Sequence, residues 1–285
     1  MSYTTQQADI LVQALPYIQK YYGKTLVIKY GGNAMIDDGL KQMVMQDIVL
    51  MHFVGMKPIL VHGGGPEINE VMKKIGKEPT FVGGLRVTDA ETMEIVEMVL
   101  TGKTNKGIVS IINNLGGHAV GLSGKDANLI RADRLEAEVD LGYVGHVAKI
   151  DPSILETLAK DGYIPVISSV AIGPNGESLN VNADHIAGAL AAAVNAEKLI
   201  MMTDVKGIFD DLKRPETLHS TLAVDKAREM IEQGKIDRGM IPKVEACITA
   251  LSGGVNRTHI IDGTLPHSLL MEVFTDTGIG TMIEH

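Results

Sequence analysis

Lys29 closes an apolar run, Thr25-Leu26-Val27-Ile28-Lys29-Tyr30, and is followed by Gly31-Gly32-Asn33. A second apolar run, Lys57-Pro58-Ile59-Leu60-Val61, ends in His62-Gly63-Gly64-Gly65-Pro66. Consecutive glycines remove side chains from the backbone, so bare N–H groups can approach a bulky anion. Where such glycines open a helix, its N-terminus adds partial positive charge. Neither the Walker spacing nor the dinucleotide fingerprint is present. An isolated glycine cluster serves equally well as a tight turn needing positive φ. The lysine at the other junction shifts that balance. In an open parallel sheet, ligands sit beyond the carboxyl ends of the strands. Two strands ending in glycine, one of them carrying a lysine, imply one phosphate site built from Gly31, Gly32 and Gly63.

Three further stretches carry usable polar groups. Asn180-Val181-Asn182-Ala183-Asp184 sets three short polar side chains at spacing two before an alanine-rich helix. One of them serves as the helix cap, which leaves two for a ligand or for orienting lysines. Arg86, in Gly84-Leu85-Arg86-Val87-Thr88, has the planar fork that grips a carboxylate, unless it is spent on a surface ion pair with Asp89. Lys243, in Gly239-Met240-Ile241-Pro242-Lys243, lies near a helix start. His62 is a possible acid or base, although it sits against glycines at a strand end. There is no Gly-x-Ser-x-Gly nucleophile elbow, no His/Cys cluster at metal spacing and no cysteine nucleophile setting.

The elements that must hold these groups alternate along the chain. Strands are expected at 25–30, 58–61, 118–122, 163–167, 198–202, 258–261 and 280–283, with helices between them. That pattern gives an α/β fold with a mostly parallel sheet covered on both faces. Thr88 to Glu91 matches a capping box that opens a helix, and Asp38 is the expected cap of a helix running to about Phe53. The stretch 123–150 reads as a β-hairpin excursion from the sheet. An amphipathic helix over 4–22, kinked or split by Pro16, precedes the first strand as an arm. The Gly173-Pro174-Asn175-Gly176 turn is the expected lobe boundary, giving an arm at 1–24, an N-lobe at 25–175 and a C-lobe at 176–285.

The chain has 285 residues, 45% of them hydrophobic and 21% charged, with a net charge of −9. That is ordinary for a globular protein and argues against nucleic-acid or membrane-surface binding, which needs a basic face. The single cysteine, Cys247, cannot form an intrachain disulfide and reads as a buried thiol. No secretory signal and no apolar run long enough to span a bilayer is visible, so the expected location is cytoplasmic.

These five glycine-, lysine- and asparagine-bearing motifs occur in an order that resembles the amino acid kinase family over essentially the whole chain. The resemblance implies an αβα sandwich in which the N-lobe binds the acid substrate and dimerises while the C-lobe binds ATP with Mg²⁺. It is similar above all to members that phosphorylate the side-chain carboxylate of N-acetyl-L-glutamate, the second step of arginine biosynthesis. By that resemblance Lys29 and Lys243 neutralise the transferring phosphoryl group, and Asp184 holds both lysines. Gly32 and Gly64 donate backbone N–H groups, and Gly63 and Gly65 shape the bend. Arg86 clamps the substrate α-carboxylate, with Asn180 and Asn182 nearby. The tail Pro266-His267-Ser268-Leu269-Leu270-Met271-Glu272, with Gly278-Ile279-Gly280, resembles the signature of arginine-inhibited hexamers in the family. It implies an allosteric arginine site at His267, Glu272 and Gly280, with the N-terminal helices interlacing dimers into a trimer of dimers. A carbamate kinase-like enzyme and a non-catalytic nucleotide or arginine sensor are the competing readings.

Overall fold

The computed structural model describes residues 3–276 and 278–285. Two helices, α1 (Tyr3–Gln13) and α2 (Leu15–Tyr21), lead into β1 (Thr25–Tyr30), α3 (Asp38–Phe53), β2 (Lys57–His62) and α4 (Gly65–Lys74). A hairpin of β3 (Phe81–Val82) and β4 (Leu85–Arg86) precedes α5 (Ala90–Glu97), α6 (Asn105–Asn114) and β5 (Ala119–Leu122). Then come β6 (Ile130–Arg134), β7 (Val144–Ile150), α7 (Ser153–Lys160), β8 (Ile164–Ser168), β9 (Val170–Ile172) and β10 (Ser178–Val181). The last stretch holds α8 (Ala183–Ala193), β11 (Lys198–Thr203), β12 (Thr221–Ala223), α9 (Val224–Glu232), α10 (Ile241–Ser252), β13 (Arg257–Asp262), α11 (Ser268–Val273) and β14 (Thr281–Glu284).

Eight strands form the central sheet in the order β12-β14-β13-β11-β1-β2-β8-β5. Only the β13–β14 pairing within it is antiparallel, so the sheet is mostly parallel as expected. β1 lies in the middle, between β11 and β2. Its alternation divides the core. Val27 joins Val61, Leu199 and Met201 in the layer under α8 and α10, whereas Leu26, Ile28 and Tyr30 join Leu60 and Ile200 in the layer under α3. Lys29, two residues after Val27, therefore faces α8 and α10 at the carboxyl edge of the sheet.

The structure differs from the sequence reading in detail. The cap of α3 is Asp37, which accepts from Leu40 N at 2.8 Å, rather than Asp38. Asp89, not Thr88, caps α5, accepting from Thr92 N at 2.8 Å. In both cases neighbouring polar residues compete, and the backbone position of the first turn decides between them. Arg86 makes no pair with Asp89, because that carboxylate is held by Lys77 at 2.8 Å. A π-helical stretch, Met98–Thr104, joins α5 to α6, where the sequence reads as one helix ending near Leu100 and another beginning at Asn105. The excursion at 123–150 is more than a hairpin, since β6 and β7 close into a small barrel with β9 and β10. The 173–176 turn joins β9 to β10 inside that barrel.

The arm splits where expected, with Pro16 in the first turn of α2. Among the described residues no helix is long and apolar enough to cross a membrane. Cys247 is fully buried, and burial pushes its thiol up to about 12.

Candidate active site

Asp184 lies in the first turn of α8, where the partial positive charge of a helix N-terminus favours a carboxylate. Its Oδ1 is 2.9 Å from Lys29 Nζ and its Oδ2 is 3.1 Å from Lys243 Nζ. Lys243 reaches it from the first turn of α10 and also donates to Gly239 O at 3.3 Å. Burial works to raise the Asp184 pKa, but the two ammonium groups outweigh it and hold the carboxyl below its ordinary value. Two cations are thus fixed on one buried anion, and Lys29 and Asp184 line a cavity of about 290 Å³.

Glycines form much of the remaining wall. Gly31, Gly32, Gly63, Gly64 and Gly65 all line the cavity. Gly32 has φ +72°, and a side chain there would run into the Asp204 carboxylate. Asp204 Oδ1 also accepts from Asn33 N at 2.6 Å, which ties the loop after β1 to the end of β11. Gly64 caps α4, and a Cβ on it would collide with Leu100 from the π-helical stretch. Only bare backbone fits at these two positions.

Arg86 also lines the cavity and is 7% exposed. Its guanidinium donates to Asn69 Oδ1 at 2.7 Å and Gly65 O at 3.2 Å, and lies 4.8 Å from the centre of the Phe81 ring. Among the described residues no carboxylate pairs with it. A buried guanidinium without an anionic partner is costly unless a ligand supplies one. Asn180 donates to Thr88 Oγ1 at 3.2 Å, and Asn182 is the cap of α8, accepting from Asp184 N at 2.7 Å. Both side chains line the cavity, so the Asn182 carbonyl is spent on the cap while its amide N–H groups remain.

Bare glycine backbone, two lysines on one carboxylate and a buried guanidinium are groups that phosphoryl transfer to an acid can use. The model of the amino acid kinase family matches residues 24–262. The chain belongs to the amino acid kinase family. Among curated proteins it is 58% identical to acetylglutamate kinase of Pelotomaculum thermopropionicum, with all of both chains covered. It is 56% identical to acetylglutamate kinase of Moorella thermoacetica, over 98% of this chain and 97% of that one. The structure resembles N-acetylglutamate synthase from Neisseria gonorrhoeae complexed with coenzyme A and N-acetyl-glutamate, with a TM-score of 0.85 and 26% identity. That match covers 100% of this chain and 64% of the other. Giardia carbamate kinase shares the fold, with a TM-score of 0.69 and 17% identity over 92% of this chain and 99% of that one.

As a member of the amino acid kinase family the chain uses ATP. Near Lys243, Ile208, Phe209 and Met240 wall a smaller cavity of about 100 Å³ that Gly207 and Asp237 also line.

His62 is fully buried, and its Nδ1 lies 2.8 Å from Gly63 O. Burial lowers its pKa to about 4, so the imidazole is neutral at physiological pH and is no proton donor to the cavity. Asn69, Asp204 and Asn105 were missed in the sequence. Asp204 had a legible signal, a carboxylate at the end of a strand. Asn69 and Asn105 are ordinary helix residues whose roles exist only through packing.

The sequence-expected arginine residues separate. Glu272 and Gly280 line a second cavity of about 300 Å³, together with Tyr17, Lys20 and Tyr21 of α2. Glu272 is buried, with Lys198 Nζ at 3.0 Å and His259 Nε2 at 3.2 Å from its Oε1. Ile279 N donates to its Oε2 at 3.2 Å. His267 does not line this cavity; its Nδ1 is 2.6 Å from Oδ1 of the buried Asp47 on α3.

Proposed function

We propose that this chain transfers the γ-phosphoryl group of ATP to the side-chain carboxylate of N-acetyl-L-glutamate, giving N-acetyl-L-glutamyl 5-phosphate for arginine biosynthesis. The observation that carries it is Asp184 holding Lys29 and Lys243, with Lys29, the cradle glycines and a buried Arg86 that no carboxylate partners among the described residues all lining one cavity. The acetylglutamate kinase names of relatives at 56–58% identity support the same substrate.

The acceptor carboxylate has an ordinary pKa of about 4.3 and is ionised at neutral pH. It needs no general base. The barrier is electrostatic, since two unit charges about 4 Å apart repel by roughly 4 kcal/mol at an effective dielectric near 20. Lys29 and Lys243 offset that repulsion, and Asp184 keeps them from drifting apart. Backbone N–H groups at Gly32 and Gly64 are placed to stabilise charge on the equatorial oxygens. Arg86 takes the α-carboxylate, with Asn180 and Asn182 alongside. Mg²⁺ would arrive on the phosphate oxygens of ATP and neutralise part of their charge. In this reading the N-lobe, 25–175, holds the acid, the C-lobe, 176–285, holds ATP, and the enzyme is cytoplasmic.

A coupled ADP-release assay over N-acetylglutamate, glutamate, aspartate and carbamate tests the proposal. N-acetylglutamate should be strongly preferred; turnover of carbamate instead would sink it. Arg86→Lys should raise KM for N-acetylglutamate by about 10- to 100-fold with a smaller change in kcat, because an ammonium cannot reproduce the planar fork. A rise in the KM for ATP instead would show that Arg86 lies at the other substrate.

Arginine inhibition of a trimer of dimers is the finer part of the reading. Ile10, Leu11 and Leu15 on the arm are 59%, 74% and 49% exposed, an apolar face suited to a second copy of the arm. The cavity between α2 and the Glu272 segment suits a guanidinium that shares the carboxylate with Lys198. Inhibition requires arginine to bind two states of the protein unequally. Removing residues 1–14 leaves Tyr17 and Tyr21 in place. It should give an active dimer with weakened arginine inhibition, read by light scattering and an arginine titration. A truncated protein that stays hexameric and equally sensitive contradicts this reading.

A further inference from the structure

We infer that His62 is a positioning residue that aims the Gly64 N–H at the transferring phosphoryl group. The inference rests on the kinase reading above.

The argument starts at Asn105, the first residue of α6. Its Nδ2 is 2.9 Å from Val166 O and 3.1 Å from His62 Nε2. A carbonyl oxygen only accepts, so the atom facing Val166 is the amide nitrogen. Lys106 Nζ donates to Asn105 Oδ1 at 3.2 Å, which fixes the same orientation from the other side. An amide nitrogen only donates. His62 Nε2 must therefore carry its lone pair toward Asn105, and the ring proton must sit on Nδ1. Nδ1 then donates to Gly63 O at 2.8 Å.

That bond sets the direction of the Gly63–Gly64 peptide. The peptide is planar and trans, so its C=O and N–H point opposite ways. With the Gly63 carbonyl drawn toward the buried imidazole, the Gly64 N–H points away from it, on the side where Gly63 and Gly64 line the cavity. Among the described residues the Gly64 N–H has no backbone acceptor. Two adjacent glycines have the widest backbone freedom in the chain, and no side chain of their own limits rotation of this peptide. The imidazole supplies that limit from behind, and Asn105 supplies the tautomer.

The test compares His62→Asn with His62→Leu in steady-state kinetics with ATP and N-acetyl-L-glutamate. Asparagine Nδ2 occupies the place of histidine Nδ1, so His62→Asn keeps the donor; leucine keeps bulk without one. His62→Leu should lose about 10- to 100-fold in kcat at nearly unchanged KM for the acid, with His62→Asn within about 3-fold of wild type. Asn105→Leu leaves His62 in place and frees its tautomer; it should lower kcat about 3- to 10-fold, again at nearly constant KM. It also provides a readout should His62→Leu not fold, and thermal unfolding of each variant separates stability from turnover. A folded His62→Leu with wild-type kcat, a His62→Asn as impaired as His62→Leu, or an Asn105→Leu with unchanged kcat overturns the inference. Wild-type turnover carries the kinase reading, and only the ratios between variants carry the role of His62.

Discussion

Lys29→Ala should lower kcat by about 100- to 1,000-fold while KM for N-acetyl-L-glutamate moves little. The ammonium sits 2.9 Å from Asp184 at the carboxyl end of β1, where it faces the cavity between the two glycine loops. In the proposed reaction it acts on charge at the transferring phosphoryl group, so its loss falls on the transition state rather than on binding of the acid. The fold should tolerate the change, because Lys243 still partners the buried carboxylate at 3.1 Å. Steady-state kinetics with both substrates varied decides it. A raised KM with intact kcat would move Lys29 from the chemical step to ground-state binding.

Asp184→Ala should be the more damaging change to the protein as a whole. Both lysines lose their common partner, and breaking a buried ion pair costs about 3–5 kcal/mol. The remaining ammonium groups repel and turn toward water, so kcat should fall by about 100-fold or more even though neither cation has been removed. Asp184→Asn separates charge from shape, since it keeps the volume and one acceptor oxygen but removes the charge that both lysines share. The pH dependence has a definite sign. The folded carboxyl titrates below its ordinary value, so its stabilising contribution is fully present above the unfolded value, about 3.9. It is lost as pH falls through the lower folded value. The gap in Tm between wild type and Asp184→Asn should be largest above about pH 5 and narrow on further acidification. A gap that widens on acidification would mean that Asp184 is not the shared counter-ion.

The two changes differ in what they leave behind. Removing Lys29 leaves a satisfied Asp184–Lys243 pair, whereas removing Asp184 leaves two like charges and no anion. Coupling of this kind is not additive, so the double variant Lys29→Ala/Asp184→Ala should be little worse in kcat than Asp184→Ala alone.

The sequence by itself determined the alternation of strands and helices, and with it the α/β class. It determined the glycine cradles as well, because strand and glycines follow one another directly at 25–33 and 57–65, with a helix soon after each. Lys29 was legible for the same reason, since its strand and its glycines are its immediate neighbours. Asn182 as a helix cap is likewise a local property. Lys243 gained its meaning only in three dimensions, where β1, α8 and α10 share one face of the sheet and bring residues 29, 184 and 243 together. The barrel of β6, β7, β9 and β10 depends on pairings whose sequence separation no period reveals. The π-helical stretch that sets Leu100 against Gly64 depends on packing in the same way. His62 shows the division most sharply. Its spacing marked it as a candidate acid or base, and full burial with Asn105 behind it makes it a neutral donor to the Gly63 carbonyl. Burial and partners set a side chain's protonation, and both come from residues distant in sequence.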